Sequence, residues 1–143
     1  MARIYEMNIT VSSVIENLDD FELVLGEAEK SEIKAPCFLK LDGDTAVISY
    51  TEKNENGKTL TEITINNNTV SVKKRGDINT NMIFAEKEIT KTIYSIPPFS
   101  FDAEIYTRKI RSTISSSGGK LELFYSITVG GAKKNTVLKA VLS

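Results

Sequence analysis

The feature that most constrains this chain is alternation. From about Met7 to the last residue, short segments place apolar side chains at every second position, and turn-forming residues separate the segments. Leu121, Leu123, Tyr125, Ile127 and Val129 alternate without a fault. A period of two puts the apolar set on one face of a strand and the polar set on the other, which suits a sheet buried on one side. Val, Ile and Thr supply 39 of the 143 residues. These β-branched types pack well on a pleated surface and less well on a helix.

The turns fall at regular intervals. Asp42-Gly43-Asp44, Asn56-Gly57, Asn66-Asn67-Asn68, Gly76-Asp77, Glu86-Lys87, Gly118-Gly119 and Gly130-Gly131 all interrupt the alternation. Asn-Gly is a strong type I′ hairpin signal, and Asn tolerates positive φ. The strands read as Glu6 to Glu16, Cys37 to Leu41, Thr45 to Glu52, Thr59 to Ile65, Thr69 to Arg75, Ile78 to Ala85, Glu88 to Ile96, Phe99 to Ile114, Leu121 to Val129 and Thr136 to Leu142. Pro97-Pro98 forms a stiff corner, because proline cannot donate to a ladder. Between Thr107 and Ile110 the apolar parity switches, which predicts a β-bulge.

Residues 18–30 are ambiguous. Phe21, Leu23 and Leu25 alternate as a strand would, while Phe21, Val24, Leu25 and Ala28 fit a helical stripe with Asp19 or Asp20 as N-cap. Strand is favoured because every neighbouring segment is strand. The charged stretch from Glu27 to Lys34 should leave the sheet or run along an edge, and Pro36 marks an edge or a bend. A meander of eight to ten strands would leave two costly edges if open, so the expected fold is a single all-β domain closed into a barrel. A barrel of that size can hold one small ligand inside.

Composition removes several function classes. The formal charge is −1, against the net positive footprint that nucleic-acid binding requires. The Lys73-Lys74-Arg75 knot reads as a solvated strand edge. There is no His and a single Cys, so no Ser-His or Cys-His dyad and no thiolate or His-bearing metal site can form. Cys37 reads as a small buried hydrophobe. No glycine-rich phosphate loop precedes a helix, and no cofactor is implied. No run approaches 18 apolar residues and Met1 to Tyr5 lacks a signal-peptide core, so no membrane partner and a cytoplasmic location are expected.

The order and spacing of Tyr50-x-Glu52, Gly57, Thr61-x-Ile63, Val70, Arg75-Gly76, Met82-x-Phe84, Tyr94, Pro97, Phe101, Thr107 and Gly118-Gly119-x-Leu121-x-Leu123-x-Tyr125 resemble the DUF1934 (YwiB-like) family of small bacterial proteins. The resemblance spans most of the chain from about residue 7. It implies a calycin-like, or lipocalin-like, β-barrel and supplies no activity. The chain departs from it at the corner Tyr94-Ser95-Ile96-Pro97-Pro98-Phe99, where the family typically has Tyr-x-Thr-Pro-Tyr-Gly, and around Glu32 to Pro36, which reads as a short insertion.

The candidate site follows from parity. Glu52 shares a face with Ile48 and Tyr50, so an inward face would carry a carboxylate into or to the rim of the barrel. A buried carboxylate needs a partner, and Arg75, one hairpin further on, is the candidate cation. The pair either fixes strand register as a salt bridge or anchors the polar head of a ligand. Thr61, Met82, Tyr94, Thr107 and Tyr125 complete the candidate lining with Tyr50. A tyrosine hydroxyl buried in such a wall seeks a partner and makes the cavity amphipathic. The leading reading is a non-enzymatic barrel that binds a small amphipathic or apolar molecule; a homodimer is compatible with it. The alternative is a protein-interaction or structural module with a filled barrel, acting through the strand near Pro36 or the Phe99 corner. An enzyme would have to draw acid chemistry from Glu52, alone or with a second carboxylate such as Glu62.

Overall fold

Ten antiparallel strands follow one another in the computed structural model, which describes residues 2–54, 57–96 and 98–143. They are β1 (Arg3–Leu18), β2 (Val24–Asp42), β3 (Thr45–Asn54), β4 (Gly57–Asn66), β5 (Thr69–Gly76), β6 (Thr80–Ala85), β7 (Ile89–Ile96), β8 (Phe99–Ser112), β9 (Gly119–Val129) and β10 (Ala132–Leu142). The order in the sheet is β6-β5-β4-β3-β2-β1-β10-β9-β8-β7. Each strand therefore lies beside its sequence neighbour, and the first and last strands pair with each other, Ile9 opposite Leu142 through Leu18 opposite Lys133. No helix occurs among the described residues.

The hairpins turn where glycine and asparagine demand it. Asn67 sits at φ 55° between Asn66 and Thr69, which face each other across the β4–β5 turn. Gly130 and Gly131, at φ 56° and 83°, connect Val129 to its partner Ala132. The last turn is thus two residues long, and Ala132 to Asn135 belong to β10 rather than to a loop. Asn56 of the Asn56-Gly57 turn and Pro97 of the proline corner lie outside the described residues.

Residues 18–30 hold no helix, and strand is right for only part of them: Leu18 ends β1, residues 19–23 form the turn, so Phe21 and Leu23 lie outside any strand, and β2 begins at Val24. Asp19 does cap backbone amides, but those of a turn: its carboxylate accepts from the N–H groups of Phe21 and Leu23 at 2.8 and 2.9 Å. The charged stretch from Glu27 to Lys34 stays in the strand, paired to β1 from Glu29 onward beyond a register shift at Gly26 to Ala28, and Glu32 to Pro36 runs in unbroken register with β1. The bulge expected in β8 is present, with the β8–β9 register shifting between Thr107 and Lys109. Glu86 caps the freed backbone there, accepting from the Ile110 N–H at 2.7 Å.

Inward-facing side chains fill one end of the barrel. Ile9, Leu39, Ile48, Ile63, Phe84 and Leu121 are fully or almost fully buried, and the Phe84 ring packs against Tyr125 at 4.7 Å between centroids. Cys37 is buried among them, and burial pushes its thiol pKa up. The remaining seam, between β6 and β7, has no continuous ladder. Asn79 and Ser95 exchange backbone hydrogen bonds at 2.8 and 2.9 Å. Beyond them, the Thr90 and Thr92 hydroxyls donate to the carbonyls of Ile83 and Asn81, at 2.5 and 2.8 Å. Side chains thus replace the missing amide donors.

Each such bond contributes about 1 kcal/mol net. Replacing both hydroxyls, as Thr90→Val with Thr92→Val, should speed amide exchange in β6 and β7 selectively. The β1 and β10 amides should be unchanged relative to wild type once the loss of global stability is subtracted; equal acceleration everywhere would show that the seam does not open by itself.

Candidate functional site

At the opposite end from the packed core the barrel is not filled. A cavity of about 560 Å³ opens there, within the range of roughly 300–1,000 Å³ usual for small-molecule sites. Its walls are mainly apolar, with Val11, Ile63, Val72, Met82, Ile127 and Leu138 among them. Ile96 and Phe101 stand at its mouth. A shallower groove of about 630 Å³ lies on the outer face over Lys91, Asp102 and Glu104. It is lined by these three charged residues together with Thr92, Ile93, Thr128 and the Gly130-Gly131 turn, and it is more open than the cavity.

The polar groups of the cavity converge on Glu52. β3 places Tyr50 and Glu52 on the inner face, two residues apart. Their neighbour on β4, Thr61, is opposite Tyr50, and Lys74 of β5 is opposite Thr61. One carboxylate oxygen of Glu52 accepts from the Tyr50 hydroxyl at 3.3 Å, from the Thr61 hydroxyl at 3.4 Å and from the Lys74 ammonium at 3.4 Å. These contacts are long beside the usual range of about 2.5–3.2 Å. They form a loose polar knot that the charge pair holds together, with the side chains of Lys74 and Glu52 only 24% and 19% exposed. Lys134 of β10 also lines the cavity, and no carboxylate lies within ion-pair distance of its ammonium among the described residues.

The tyrosines are held in their neutral, hydrogen-bonding form. Burial raises the Tyr50 hydroxyl well above its ordinary range, and the neighbouring Glu52 charge adds to the effect. Tyr94 is raised by the same two causes. Tyr125 is pushed up to about 12, chiefly by burial, while a hydrogen bond with Thr136 pulls the other way.

Of the eight residues singled out from the sequence, Tyr50, Glu52, Met82, Tyr94 and Tyr125 line the cavity. Thr61 lies behind them, fully buried and bonded to Glu52. Thr107 does not line it. Its side chain is buried with an unpaired hydroxyl, while its backbone carbonyl accepts from the Lys87 N–H at 2.7 Å, so it serves the bulge and the β6–β7 turn. Arg75 is a correction: it is exposed on the outer face, and Lys74 is the cation that meets Glu52. The basic knot is therefore only partly a solvated edge. Glu62 is likewise outside, so it forms no carboxylate pair with Glu52.

Lys74 and Lys134 were legible by parity. Lys74 continues the face of the buried Val70 and Val72, and Lys134 that of Thr136 and Leu138.

The Tyr125 hydroxyl keeps its proton to about pH 12 in the folded protein, whereas an unfolded tyrosine releases it near about 10. The unfolded state thus binds fewer protons in that window, and stability falls as pH rises. Its contribution is fully present below about pH 10 and declines above it by about 1.4 kcal/mol per pH unit. Urea midpoints measured across this range should drop steeply for the wild type and less steeply for Tyr125→Phe. Parallel curves would place the alkaline loss in other groups.

Comparison with known proteins agrees with the geometry. The chain is 24% identical over 129 residues to the uncharacterized beta-barrel protein YwiB of Bacillus subtilis (strain 168), a match that covers 90% of this chain and 86% of the relative. The crystal structure of the ywiB protein from Bacillus subtilis superposes with a TM-score of 0.76 at 22% identity, over 96% of this chain and 93% of that one, and so shares its fold. The family model for a domain of unknown function, DUF1934, matches residues 20–138. A β-barrel built from these motifs, matched over most of its length, belongs to the DUF1934 family.

Proposed function

We propose that this barrel binds one small amphipathic molecule, with its apolar body in the cavity and its polar end toward Glu52, Lys74 and Lys134. The observation that carries the reading is the cavity of about 560 Å³, open at one end, whose apolar walls surround a few converging polar groups. This is the composition of small-ligand sites, in which apolar area supplies affinity and placed polar groups fix orientation.

The charge count favours an anionic end group. Glu52 is already matched by Lys74 at 3.4 Å. Lys134 is the remaining charge on the wall, and a cation held against apolar surface gains from an incoming anion. Tyr94, kept neutral by burial and by Glu52, offers a hydroxyl donor to the same end group.

The second reading, a protein-interaction module, draws on exposed aromatics: Phe99 is 63% and Phe38 53% exposed. Such side chains are typical anchors of protein interfaces. It assigns no role to the cavity.

Native mass spectrometry of the protein purified from its own host separates the two readings. A small molecule that travels with the folded chain and leaves on unfolding supports binding, whereas a bare mass shifts the weight to the interaction module. In parallel, the anionic fluorophore 1-anilinonaphthalene-8-sulfonate should bind saturably, one per chain. Lys134→Met should weaken it about tenfold, the scale of one charge-assisted hydrogen bond. Ile127→Trp, which fills the cavity, should abolish it. Binding that survives Ile127→Trp would place the fluorophore elsewhere.

A further inference from the structure

The sheet has a second incomplete place, independent of the cavity. β2 pairs with β1 from Val24 opposite Leu18 to Leu41 opposite Arg3, with a register shift between Ile15 and Asn17 that leaves Gly26 to Ala28 outside the ladder, so the regular stretch of this edge begins at Glu29. On its other side it pairs with β3 only from Cys37 to Asp42. Beyond Tyr50, β3 keeps its β4 partner and leaves β2. The segment Val24 to Pro36 therefore presents a long free edge, and its residues from Glu29 to Glu32 are all exposed. Free edges are templates for another strand.

The direction of its backbone groups is fixed. Asn8 exchanges both backbone hydrogen bonds with Ser143, so its N–H and C=O point toward β10 and away from β2. Pro36, its partner on β2, therefore turns its own backbone away from β1, as a residue without an N–H must in an intact ladder. Alternation along the strand then points the N–H and C=O groups of Lys34, Glu32 and Lys30 outward too.

The side chains on this edge are self-complementary. In an antiparallel pairing of two identical edges about a two-fold axis, residues directly opposite share a face, so the axis passes through a residue. With the axis at Ser31, Lys30 of each copy faces Glu32 of the other, in hydrogen-bonded pairs, and the matched stretch ends before the irregularity at Gly26 to Ala28. Glu32, which meets Lys34 of its own strand at 3.7 Å on the exposed surface, then lies between two lysines. An axis at Lys30 or Glu32 sets like charges opposite each other, which is destabilising. An axis at Ile33 spends two ladder positions on Pro36, which has no N–H to donate. Pro36 and the irregularity at Gly26 to Ala28 blunt the two ends of this edge; between them the charges alternate in sign, in an order that a second copy can match about Ser31.

We propose that the free edge of β2 pairs with the same edge of a second copy of this chain, centred on Ser31, joining two barrels through a continuous antiparallel sheet. Ser31 and Ile33 also line the cavity, so the second copy would lie against the gap between β2 and β3 that flanks it.

Sedimentation equilibrium of the intact chain, from micromolar to millimolar concentration, tests this. The wild type should shift with concentration from the 15.8 kDa monomer toward twice that mass. Lys30→Glu alone and Glu32→Lys alone each oppose like charges and should lose the dimer. The two together restore opposite signs and should recover it. Glu32→Pro removes only an outward N–H, leaves the β1 ladder intact and should also stay monomeric, with circular dichroism confirming its fold. A wild type that remains monomeric throughout, or a double variant no better associated than either single one, overturns the proposal.

Discussion

Everything in this molecule depends on the pairing of β1 with β10. Ten strands in sequence order form a flat or coiled ribbon until its ends meet, and every unpaired amide or carbonyl excluded from water costs about 1–3 kcal/mol. The ladder from Ile9–Leu142 to Leu18–Lys133 joins the first strand to the last and converts the ribbon into a barrel with an inside. Besides the free edge of β2, what remains open lies between β6 and β7. There two threonine hydroxyls and a backbone bridge satisfy groups that a ladder would otherwise pair. At the β8 bulge, Thr107 bridges to Glu86 and the Glu86 carboxylate accepts from the Ile110 N–H, so this buried threonine sits at the switch of parity rather than in the cavity wall.

The interior is divided by chemistry as much as by shape. Large side chains, Phe84 and Leu121 among them, fill one end. At the other, Glu52 enters an apolar wall. Removing a carboxylate from water is costly unless it is paired. Lys74, Tyr50 and Thr61 supply the partners, all on one oxygen and all at long distance. A knot this loose, with unfilled volume beside it, differs from a tightly packed register-fixing salt bridge. It is the physical basis for reading the cavity as a place for a polar end group.

Much of this was legible in the sequence. The alternation of Leu121 to Val129, the glycine and asparagine turns and the parity switch before Ile110 all reappear as β9, as hairpins and as the bulge. Tyr50, Glu52, Met82, Tyr94 and Tyr125 reach the cavity because they share faces with apolar neighbours. Arg75 failed for the same reason that these succeeded: it stands one residue off the face of Val70 and Val72, so the pleat sends it out and Lys74 in. The stretch from Phe21 to Ala28 was ambiguous because two periods fit its apolar residues, and neither describes it: Phe21 and Leu23 lie in an exposed turn, and pairing with β1 makes strand only from Val24.

By itself, the sequence determined which residues lie together on a face, because the side-chain period of a strand is two and local sterics enforce it. It also determined where most hairpins turn, because positive φ falls most readily to glycine and asparagine, although Glu22 and Lys87 adopt it as well. The tertiary structure alone decided which face looks inward, that Lys74 rather than Arg75 meets Glu52, and that β2 parts from β3 at Pro36 to leave an edge free. Those outcomes belong to closure: they depend on the relative placement of strands far apart in the chain, and no local period encodes it.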